Sequence, residues 1–119
     1  MKIPVTAMVV AKDEAKLLES CLPPLSFCEE LIVIDSESKD NSIEVSEKHN
    51  ATIIKDSDVP FAEVALRRHI SKAKYDWVLI TDPDEVLTSV LSHEIIQLFN
   101  NELNTKSSNI GVVNVPILF

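Results

Sequence analysis

Residues 77–85 have the sequence Trp77-Val78-Leu79-Ile80-Thr81-Asp82-Pro83-Asp84-Glu85, four apolar residues followed by a turn that carries three carboxylates. A short apolar run that ends in turn residues is typical of a buried strand in a parallel sheet. The polar residues after it then lie at the carboxyl end of the strand, where ligands bind in open α/β sheets. This stretch therefore predicts both the kind of sheet and the edge that carries the chemistry.

The same pattern, an apolar run followed by a helical segment, recurs on the N-terminal side of this stretch. Apolar runs predict strands at residues 3–10, 31–34, 51–54 and 77–80. Helical spacing predicts helices at 13–22, from Ser38 or Asp40 to about His49, at 61–73 and at 88–101. Alternation of strands and helices is typical of βαβ units. We therefore expect one α/β domain with a mostly parallel sheet flanked by helices.

The last part of the sequence predicts a turn at 107–111 and a strand at 112–119 that is apolar up to Phe119. A free chain end is usually polar and frayed. We therefore expect either that the natural chain continues beyond this strand, or that a second copy or a partner chain covers it.

The charge balance is acidic, with 11 Lys and Arg against 19 Asp and Glu and a net charge of −8. A field of this sign repels phosphate backbones and anionic lipids, which argues against nucleic-acid or membrane-surface binding. A small anionic ligand would need a cation or a local basic group to hold it. Gly111 is the only glycine, so Gly-rich phosphate loops of the GxGxxG and Walker types are excluded.

Targeting signals and disulfides are not expected. No run approaches the ~20 apolar residues that span a bilayer, and Lys12-Asp13-Glu14 interrupts the N-terminal apolar stretch before it forms a signal peptide. These features predict a soluble, cytoplasmic domain. Cys21 and Cys28 do not make a disulfide framework, so we expect reduced, partly buried thiols.

Acidic residues follow three of the predicted strands. Asp13 and Glu14 follow the first strand, Asp35 follows the second, and Asp82 begins the acidic turn after the fourth. Because the carboxyl ends of parallel strands lie at one edge of a sheet, we expect these carboxylates to face one cleft. A plainer interpretation, in which the carboxylate only caps a helix, is at least as good for Asp13 and Asp40 taken singly.

The pair Asp82 and Asp84 supplies hard oxygen ligands of the kind that Mg²⁺ and Mn²⁺ prefer. Pro83 between them stiffens the turn and keeps Asp82 extended. A metal here could bridge two phosphates and neutralise the charge on a departing diphosphate, which explains how an acidic domain could hold an anionic ligand. Asp35, at a strand end, can accept hydrogen bonds from a nucleobase N–H or a ribose hydroxyl; the alternative is that residues 35–40 form an ordinary polar loop between a strand and a helix.

Three blocks of the sequence together resemble the family 2 glycosyltransferases. They are residues 9–14, Asp35-Ser36-Glu37-Ser38-Lys39-Asp40, and residues 75–85, in the order and spacing of that family. The resemblance covers residues 3 to about 90 and is greatest with bacterial members that glycosylate lipopolysaccharide cores and other surface glycans. It implies a GT-A fold, here its Rossmann-like nucleotide-binding half. It also implies inverting transfer from a nucleoside diphosphate sugar, a UDP-sugar above all, to a glycan or lipid-linked acceptor.

The resemblance also assigns roles to residues. Asp82 and Asp84 would form the DxD motif, which acts on the ribose, the diphosphate and a Mn²⁺ or Mg²⁺ ion. The resemblance implies that a basic or amide residue on the helix before the fourth strand lies near the donor, and Arg67 and Arg68 both fall at that place. The alternative is that this Arg pair lies on a solvated face of the helix. The other donor-binding positions lie in the first two blocks: Ala11, Lys12, Asp13, Glu14, Asp35 and Ser36.

Two kinds of departure from the family pattern stand out. Glu37 and Tyr75 occupy positions where glycine is usual, and glycine tolerates backbone angles that Glu resists. Only 34 residues follow Glu85, whereas the acceptor-side half of the family, with its general base, follows the DxD. We therefore expect residues 1–119 to be a single donor-binding domain, truncated before the acceptor half and with the catalytic base outside it.

Two other functions remain open. A non-catalytic remnant or interaction module that binds a nucleotide sugar would explain the unfinished C-terminal strand. A Mg²⁺-dependent phosphotransferase of the haloacid-dehalogenase type would use Asp82 as nucleophile and Asp84 as acid. The glycosyltransferase interpretation requires Asp35, Asp82 and Asp84 to share one edge of a parallel sheet, and an antiparallel strand between them would refute it.

Overall fold

The computed structural model describes residues 2–103, so the turn predicted at 107–111 and the strand predicted at 112–119 lie outside the described residues. Strands and helices alternate along the chain. The strands are β1 (Ile3–Ala11), β2 (Cys28–Asp35), β3 (Thr52–Lys55) and β4 (Trp77–Ile80). The α-helices are α1 (Ala15–Cys21), α2 (Ser42–Lys48), α3 (Ala62–His69) and α4 (Ser89–Leu98). Short 3-10 turns follow α1 and α3, at Pro23–Leu25 and Ile70–Lys72, and a π-helical segment, Phe99–Leu103, continues α4.

The four strands form one sheet in the order β3-β2-β1-β4, and every pair of neighbours is parallel. This confirms the fold class that the alternating pattern predicted. The chain moves outward from β1 to β2 to β3 and then crosses back to place β4 on the other side of β1. The strand order therefore reverses between β1 and β4, and such a reversal opens a crevice at the carboxyl edge of a sheet.

Both faces of the sheet are covered, because side chains of a strand alternate between its two faces. On one face Ala7, Val9 and Val33 are at most 1% exposed and belong to the core that also contains residues of α1, α2 and α4. On the other face Met8, Ile32 and Ile34 pack with Ala65 of α3 in a smaller cluster. β1 and β2 are thus buried on both sides, as the continuous apolar run at residues 31–34 predicted for β2. β4 lies at an edge of the four described strands and is only partly buried, with Ile80 47% exposed, so the expectation of a buried strand at residues 77–80 is wrong for that residue.

Several element boundaries differ from those that the sequence predicted. The first helix begins at Ala15 rather than Asp13, because Asp13 takes a left-handed conformation with φ of 51°. The third helix ends at His69, whereas the helical spacing of Phe61, Ala65 or Leu66, Ile70 and Ala73 predicts an apolar side that reaches residue 73. That side is only partly buried, since Phe61 is 69% exposed and Ile70 is 42% exposed. The prediction that α3 buries a stripe from Phe61 to Ala73 is therefore wrong at those two residues, and Ala65 is its buried contact.

Cys21 and Cys28 are free and buried. Within residues 2–103, no helix combines the length and the apolar character needed to cross a bilayer.

Candidate functional site

The carboxyl edge of the sheet brings the predicted acidic residues into neighbouring positions. Asp35 is the last residue of β2 and pairs with Ala11, the last residue of β1. β4 ends at Ile80, which pairs with Met8 of β1, and Asp82 follows two residues later. β1 therefore ends between Asp35 and the Asp82 turn. Since neighbouring strands lie about 4.8 Å apart, the backbones of β2 and β4 are separated by roughly 10 Å.

The turn after β1 is braced against the turn after β2. The backbone N–H of Asp13 donates to Ser38 Oγ at 2.8 Å, and Asp13 Oδ1 accepts from the backbone N–H groups of Lys39 and Asp40. Lys12 and Asp13 are exposed, and the carboxylate of Glu14 turns back to accept from the N–H of Lys12. Hydrogen bonds thus join the first two sequence blocks into one surface. The carboxylate of Asp13 binds the turn after β2 and does not cap a helix.

Asp35 is 1% exposed and orders the loop that follows it. Its two carboxylate oxygens accept from Ser38, one from the backbone N–H at 3.0 Å and the other from the hydroxyl at 2.6 Å. Ser36, which is also buried, donates its N–H to the carbonyl of Ala11 at 2.9 Å. A carboxylate offers about four lone-pair sites, so these bonds leave acceptor capacity on Asp35.

The position where glycine is usual keeps a glycine-like backbone. Glu37 has φ of 59°, within the left-handed region. Glycine enters that region without steric cost, whereas a side chain with a Cβ does so at a cost. The substitution of Glu for Gly therefore leaves the local backbone in the left-handed conformation and stores some strain in it.

Asp40 joins the first turns of two helices. Its Oδ2 accepts from the N–H of Ala15, the first residue of α1, at 3.1 Å, and its Oδ1 accepts from the N–H of Ser42, the first residue of α2, at 2.9 Å. The Ser42 hydroxyl also donates to Asp40 and accepts from the N–H of Glu14 at 3.0 Å. The hydroxyl of Ser42, with the two backbone N–H groups, lowers the pKa of Asp40. Asp40 therefore supports the starts of both helices, although the N-cap residues themselves are Glu14 and Asn41.

The turn after β4 closes on itself. The N–H of Asp82 donates to the Glu85 carboxylate at 2.8 Å, and the N–H of Glu85 donates to the carbonyl of Asp82 at 2.9 Å. Pro83 between the two aspartates is buried, whereas Asp82 and Asp84 are exposed. The thiol of Cys21, at the end of α1, donates to the carbonyl of Asp82 at 3.6 Å. This turn therefore holds two carboxylates outward on a fixed backbone.

The charge around this turn is negative and is not balanced by nearby cations. Neither Asp82 nor Asp84 forms an ion pair with a Lys, Arg or His of residues 2–103. Partial burial, together with the charges of Glu85, Asp84 and Glu63, raises the pKa of Asp82. Burial, reinforced by the charges of Glu85, Asp82, Asp84 and Glu14, also raises the pKa of the Cys21 thiol to about 11. A cation placed here would be stabilised by each of these charges.

The donor set fits a hard divalent cation that is bound together with phosphates. In the described part of the chain, no group of three or more His, Cys, Asp or Glu side chains gathers as a metal cage. Mg²⁺ usually needs no such cage, since it takes one or two carboxylates and completes its shell with water and substrate phosphate. The exposed carboxylates of Asp82 and Asp84 match that number and kind of ligand.

The two candidate arginines differ in their surroundings. Arg68 forms an ion pair with Asp56 at 3.1 Å and a longer one with Asp58 at 3.8 Å. Arg67 is exposed and forms no ion pair within residues 2–103. The contact between the Asp56 carboxylate and His69 Nε2, at 2.8 Å, was not foreseen from the sequence. One signal could have found Asp56: it follows the third predicted strand, as Asp35 and Asp82 follow theirs.

Comparisons with known proteins agree with this architecture. Residues 6–105 match the family model described as Glycosyl transferase family 2. An uncharacterized glycosyltransferase of Rickettsia bellii is 28% identical over 101 residues, which cover 82% of this chain and 33% of the relative. A TPR repeat-containing protein of Synechococcus elongatus is 31% identical over 84 residues, which cover 70% of this chain and 21% of the relative. The chain thus spans a third or less of the length of these relatives.

Solved structures share the fold. A mannosyltransferase of Pyrobaculum calidifontis in complex with GDP-Man and Mn²⁺ has a TM-score of 0.67 at 22% identity, over 82% of this chain and 33% of that one. Glucosyl-3-phosphoglycerate synthase of Mycobacterium tuberculosis, in complex with Mn²⁺, UDP and glucosyl-3-phosphoglycerate, has a TM-score of 0.64 at 20% identity, over 82% and 38%. The described residues therefore have the Rossmann-like half of a GT-A fold.

Proposed function

Because the chain belongs to glycosyl transferase family 2, we propose that it forms the donor-binding half of an inverting glycosyltransferase that holds a nucleoside diphosphate sugar with Mn²⁺ or Mg²⁺. One observation carries the proposal: Asp35 and the Asp82–Asp84 pair stand at the same edge of a parallel sheet, on either side of the end of β1. The reversal of strand order beside β1 supports a ligand crevice at that place.

In this proposal the first two sequence blocks bind the nucleoside. Ala11, Lys12, Asp13 and Glu14 line one side of the pocket. Asp35, with Ser36 beside it, accepts from the nucleobase or the ribose with the acceptor capacity that Ser38 leaves unused. The hydrogen bonds between the two turns support this assignment, because they hold both sides of the pocket in one arrangement before the ligand arrives.

The diphosphate lies at the turn after β4. Asp82 and Asp84 would hold the metal, which when bound supplies positive charge to the phosphates and stabilises the departing diphosphate. Asp82 also contacts the ribose, and Arg67 or Arg68 adds a cation from α3. The unbalanced negative charge of the turn supports a metal there, since an acidic domain would otherwise repel the ligand.

The acceptor side of the reaction is assigned to chain outside residues 2–103. A base there would take the proton of the acceptor hydroxyl, and residues 1–119 would be one domain without the acceptor-binding half. The short span of this chain on its relatives supports that division. The acceptor would be a glycan or a lipid-linked sugar, in the synthesis of a surface polysaccharide or lipopolysaccharide. Because the chain belongs to glycosyl transferase family 2, we set aside the alternative in which Asp82 is the nucleophile of a phosphotransferase.

Thermal unfolding with UDP tests the proposal. UDP with Mn²⁺ should raise the melting temperature, and UDP with EDTA should not, because in this proposal the diphosphate binds the protein through the metal ion. At a UDP concentration 100-fold above Kd the gain is about 2.7 kcal/mol. Asp84→Asn should abolish the shift. Asp76→Asn, an exposed aspartate just before the other end of β4, is the matched control and should leave it intact. Stabilisation by UDP without metal, or a normal shift in Asp84→Asn, would contradict the assignment.

Release of UDP from UDP-sugars by the same protein separates an enzyme from a binding module. Catalytic release of UDP, even with water as the acceptor of the sugar, would show that catalytic groups lie within this chain. Metal-dependent binding without turnover would favour the donor-binding half, or the non-catalytic module, over a complete enzyme.

A further inference from the structure

Asp56 stands beside Asp35 at the carboxyl edge of the sheet. It directly follows Lys55, the last residue of β3, which pairs with Asp35. The N–H of Asp56 donates to the carbonyl of Asp35 at 3.0 Å. The position of Asp56 is therefore tied by the sheet to a residue of the proposed donor site.

The carboxylate of Asp56 is occupied by protein groups. Its Oδ1 accepts from the N–H of Asp58 at 3.1 Å and from Arg68 Nη1 at 3.2 Å. Its Oδ2 accepts from Arg68 Nη1 at 3.1 Å and contacts His69 Nε2 at 2.8 Å. The bond from His69, then the N–H of Asp58 and the Arg68 guanidinium, lower the pKa of Asp56 to about 2. The side chain is 12% exposed, so Asp56 holds other residues rather than a ligand.

What Asp56 holds is the last turn of α3, which contains Arg67, Arg68 and His69. Arg68 also donates to the carbonyl of Asp58 at 2.6 Å, so its guanidinium is turned toward the β3–α3 loop. Arg67 is exposed and has no ion-pair partner in the described residues. Successive residues of an α-helix project about 100° apart. Fixing Arg68 and His69 therefore also fixes the direction in which Arg67 leaves the helix.

We propose that Asp56 is a positioning residue of the donor site, which clamps Arg68 and His69 to the end of β3 and thereby presents Arg67 to the nucleoside diphosphate. Arg68 is then a structural residue, and Arg67 is the cation that contacts the phosphates. This inference rests on the proposed function, because it assumes that a nucleoside diphosphate binds at this edge. It adds a residue, Asp56, that makes no contact with the ligand itself.

The first test measures the Kd of UDP in the presence of Mn²⁺ by calorimetry. Asp56→Asn should weaken binding about tenfold, which corresponds to one charge-assisted hydrogen bond. Asp58→Asn is the matched control: its side chain is 91% exposed, it loses only the 3.8 Å contact, and its carbonyl still accepts from Arg68. Equal affinities of Asp56→Asn and Asp58→Asn would overturn the inference.

The second test separates positioning from general support of the fold. Arg67→Gln should weaken UDP binding about tenfold without changing the melting temperature, while Arg68→Gln should lower the melting temperature. Asp56→Asn should add no further loss of affinity in the Arg67→Gln background, because the cation that it positions is gone. A full additional loss in that background would overturn the inference, and so would a normal Kd in Arg67→Gln.

If Asp56→Asn does not fold, Arg67→Gln and Arg68→Gln still test the inference, because a normal Kd of UDP in Arg67→Gln would overturn it. If the unaltered protein fails to bind UDP with Mn²⁺, the proposed function fails and this inference falls with it. If the unaltered protein binds UDP and the variants behave otherwise than stated, only the inference fails.

Discussion

At the scale of single residues, the two turns of the candidate site contain strained backbone. Asp13 and Glu37 take φ values of 51° and 59°, and neither is glycine. The backbone strain at Asp13 is offset, because its carboxylate accepts hydrogen bonds from two backbone N–H groups of the neighbouring turn. Glu37 is exposed, and within residues 2–103 its side chain forms no hydrogen bond or ion pair that offsets the strain. The strain at Glu37 should therefore be removable without loss.

Replacing Glu37 by glycine should raise the free energy of unfolding by about 0.5 kcal/mol. The cost of the left-handed conformation, about 1 kcal/mol, is relieved, and part of the gain is offset by the greater freedom of glycine in the unfolded chain. Urea unfolding followed by circular dichroism measures the change. Glu44→Gly, the same substitution in the first turn of α2, is the control and should lose about 1 kcal/mol. Destabilisation by Glu37→Gly would show that the Glu side chain has a role in the turn.

Asp56 should make the protein sensitive to acid in a defined pH range. Its folded-state pKa of about 2 lies below the ordinary value near 3.9 of an unfolded chain. A lowered folded pKa contributes stability that is complete above the unfolded value and is lost as the pH falls through the folded one. The free energy of unfolding should therefore drop more steeply between about pH 4 and pH 2 in the unaltered protein than in Asp56→Asn. Equal slopes, measured by urea titration at each pH, would show that the cluster does not stabilise ionised Asp56.

At the scale of elements, α1 and α2 begin at a shared junction. Asp40 accepts from the first residue of each helix, and Ser42 links the junction to Glu14. Both helices have seven residues, too short to be stable in isolation. Their starts therefore depend on each other and on the two turns of the candidate site.

Asp40→Ala should lower the urea midpoint of unfolding, because three donors of the junction lose their acceptor. Asn41→Ala is the matched control: Asn41 is the N-cap of α2, but its side chain makes no capping hydrogen bond, so the midpoint should hardly change. Similar losses in the two variants would mean that the junction contributes nothing beyond the ordinary preferences of the chain.

The same elements show what the sequence could and could not predict. β4 was predicted at its observed bounds, because its apolar run is uninterrupted. β2 begins three residues before the predicted start, since Glu29 and Glu30 break the apolar pattern. Their carboxylates accept from distant groups that only the fold brings near: Glu29 from the Tyr75 hydroxyl, Glu30 from the Thr6 hydroxyl and the N–H of Lys74.

The candidate site was predictable to a similar degree. One rule, that parallel strands end at one edge, was enough to place Asp35 and Asp82 at the same edge. The partner of His69 was not predictable, because Asp56 is 13 residues away and reaches it only through the path of the β3–α3 loop. Strand ends follow from the local pattern, whereas contacts between loops need the complete fold.

At the scale of the whole molecule, the middle strand joins the two sides of the candidate site. β1 is the longest of the described strands, with nine residues, and is hydrogen-bonded to β2 on one side and to β4 on the other. Residues 5–9 of β1 are at most 5% exposed, and Ala11, at its end, adjoins Asp35. A displacement of β1 would therefore disturb the nucleoside side and the diphosphate side of the site together.

The double pairing of β1 has a consequence for hydrogen–deuterium exchange. Backbone protons in the middle of β1 lie in a buried strand that is paired on both sides, so we expect them to exchange only when the entire domain unfolds. A nucleotide that binds only the native state raises the equilibrium constant for folding. It should therefore slow the exchange of the β1 backbone protons by the same factor. The interior of the sheet would then report occupancy of its edge, although no atom of the ligand touches those protons.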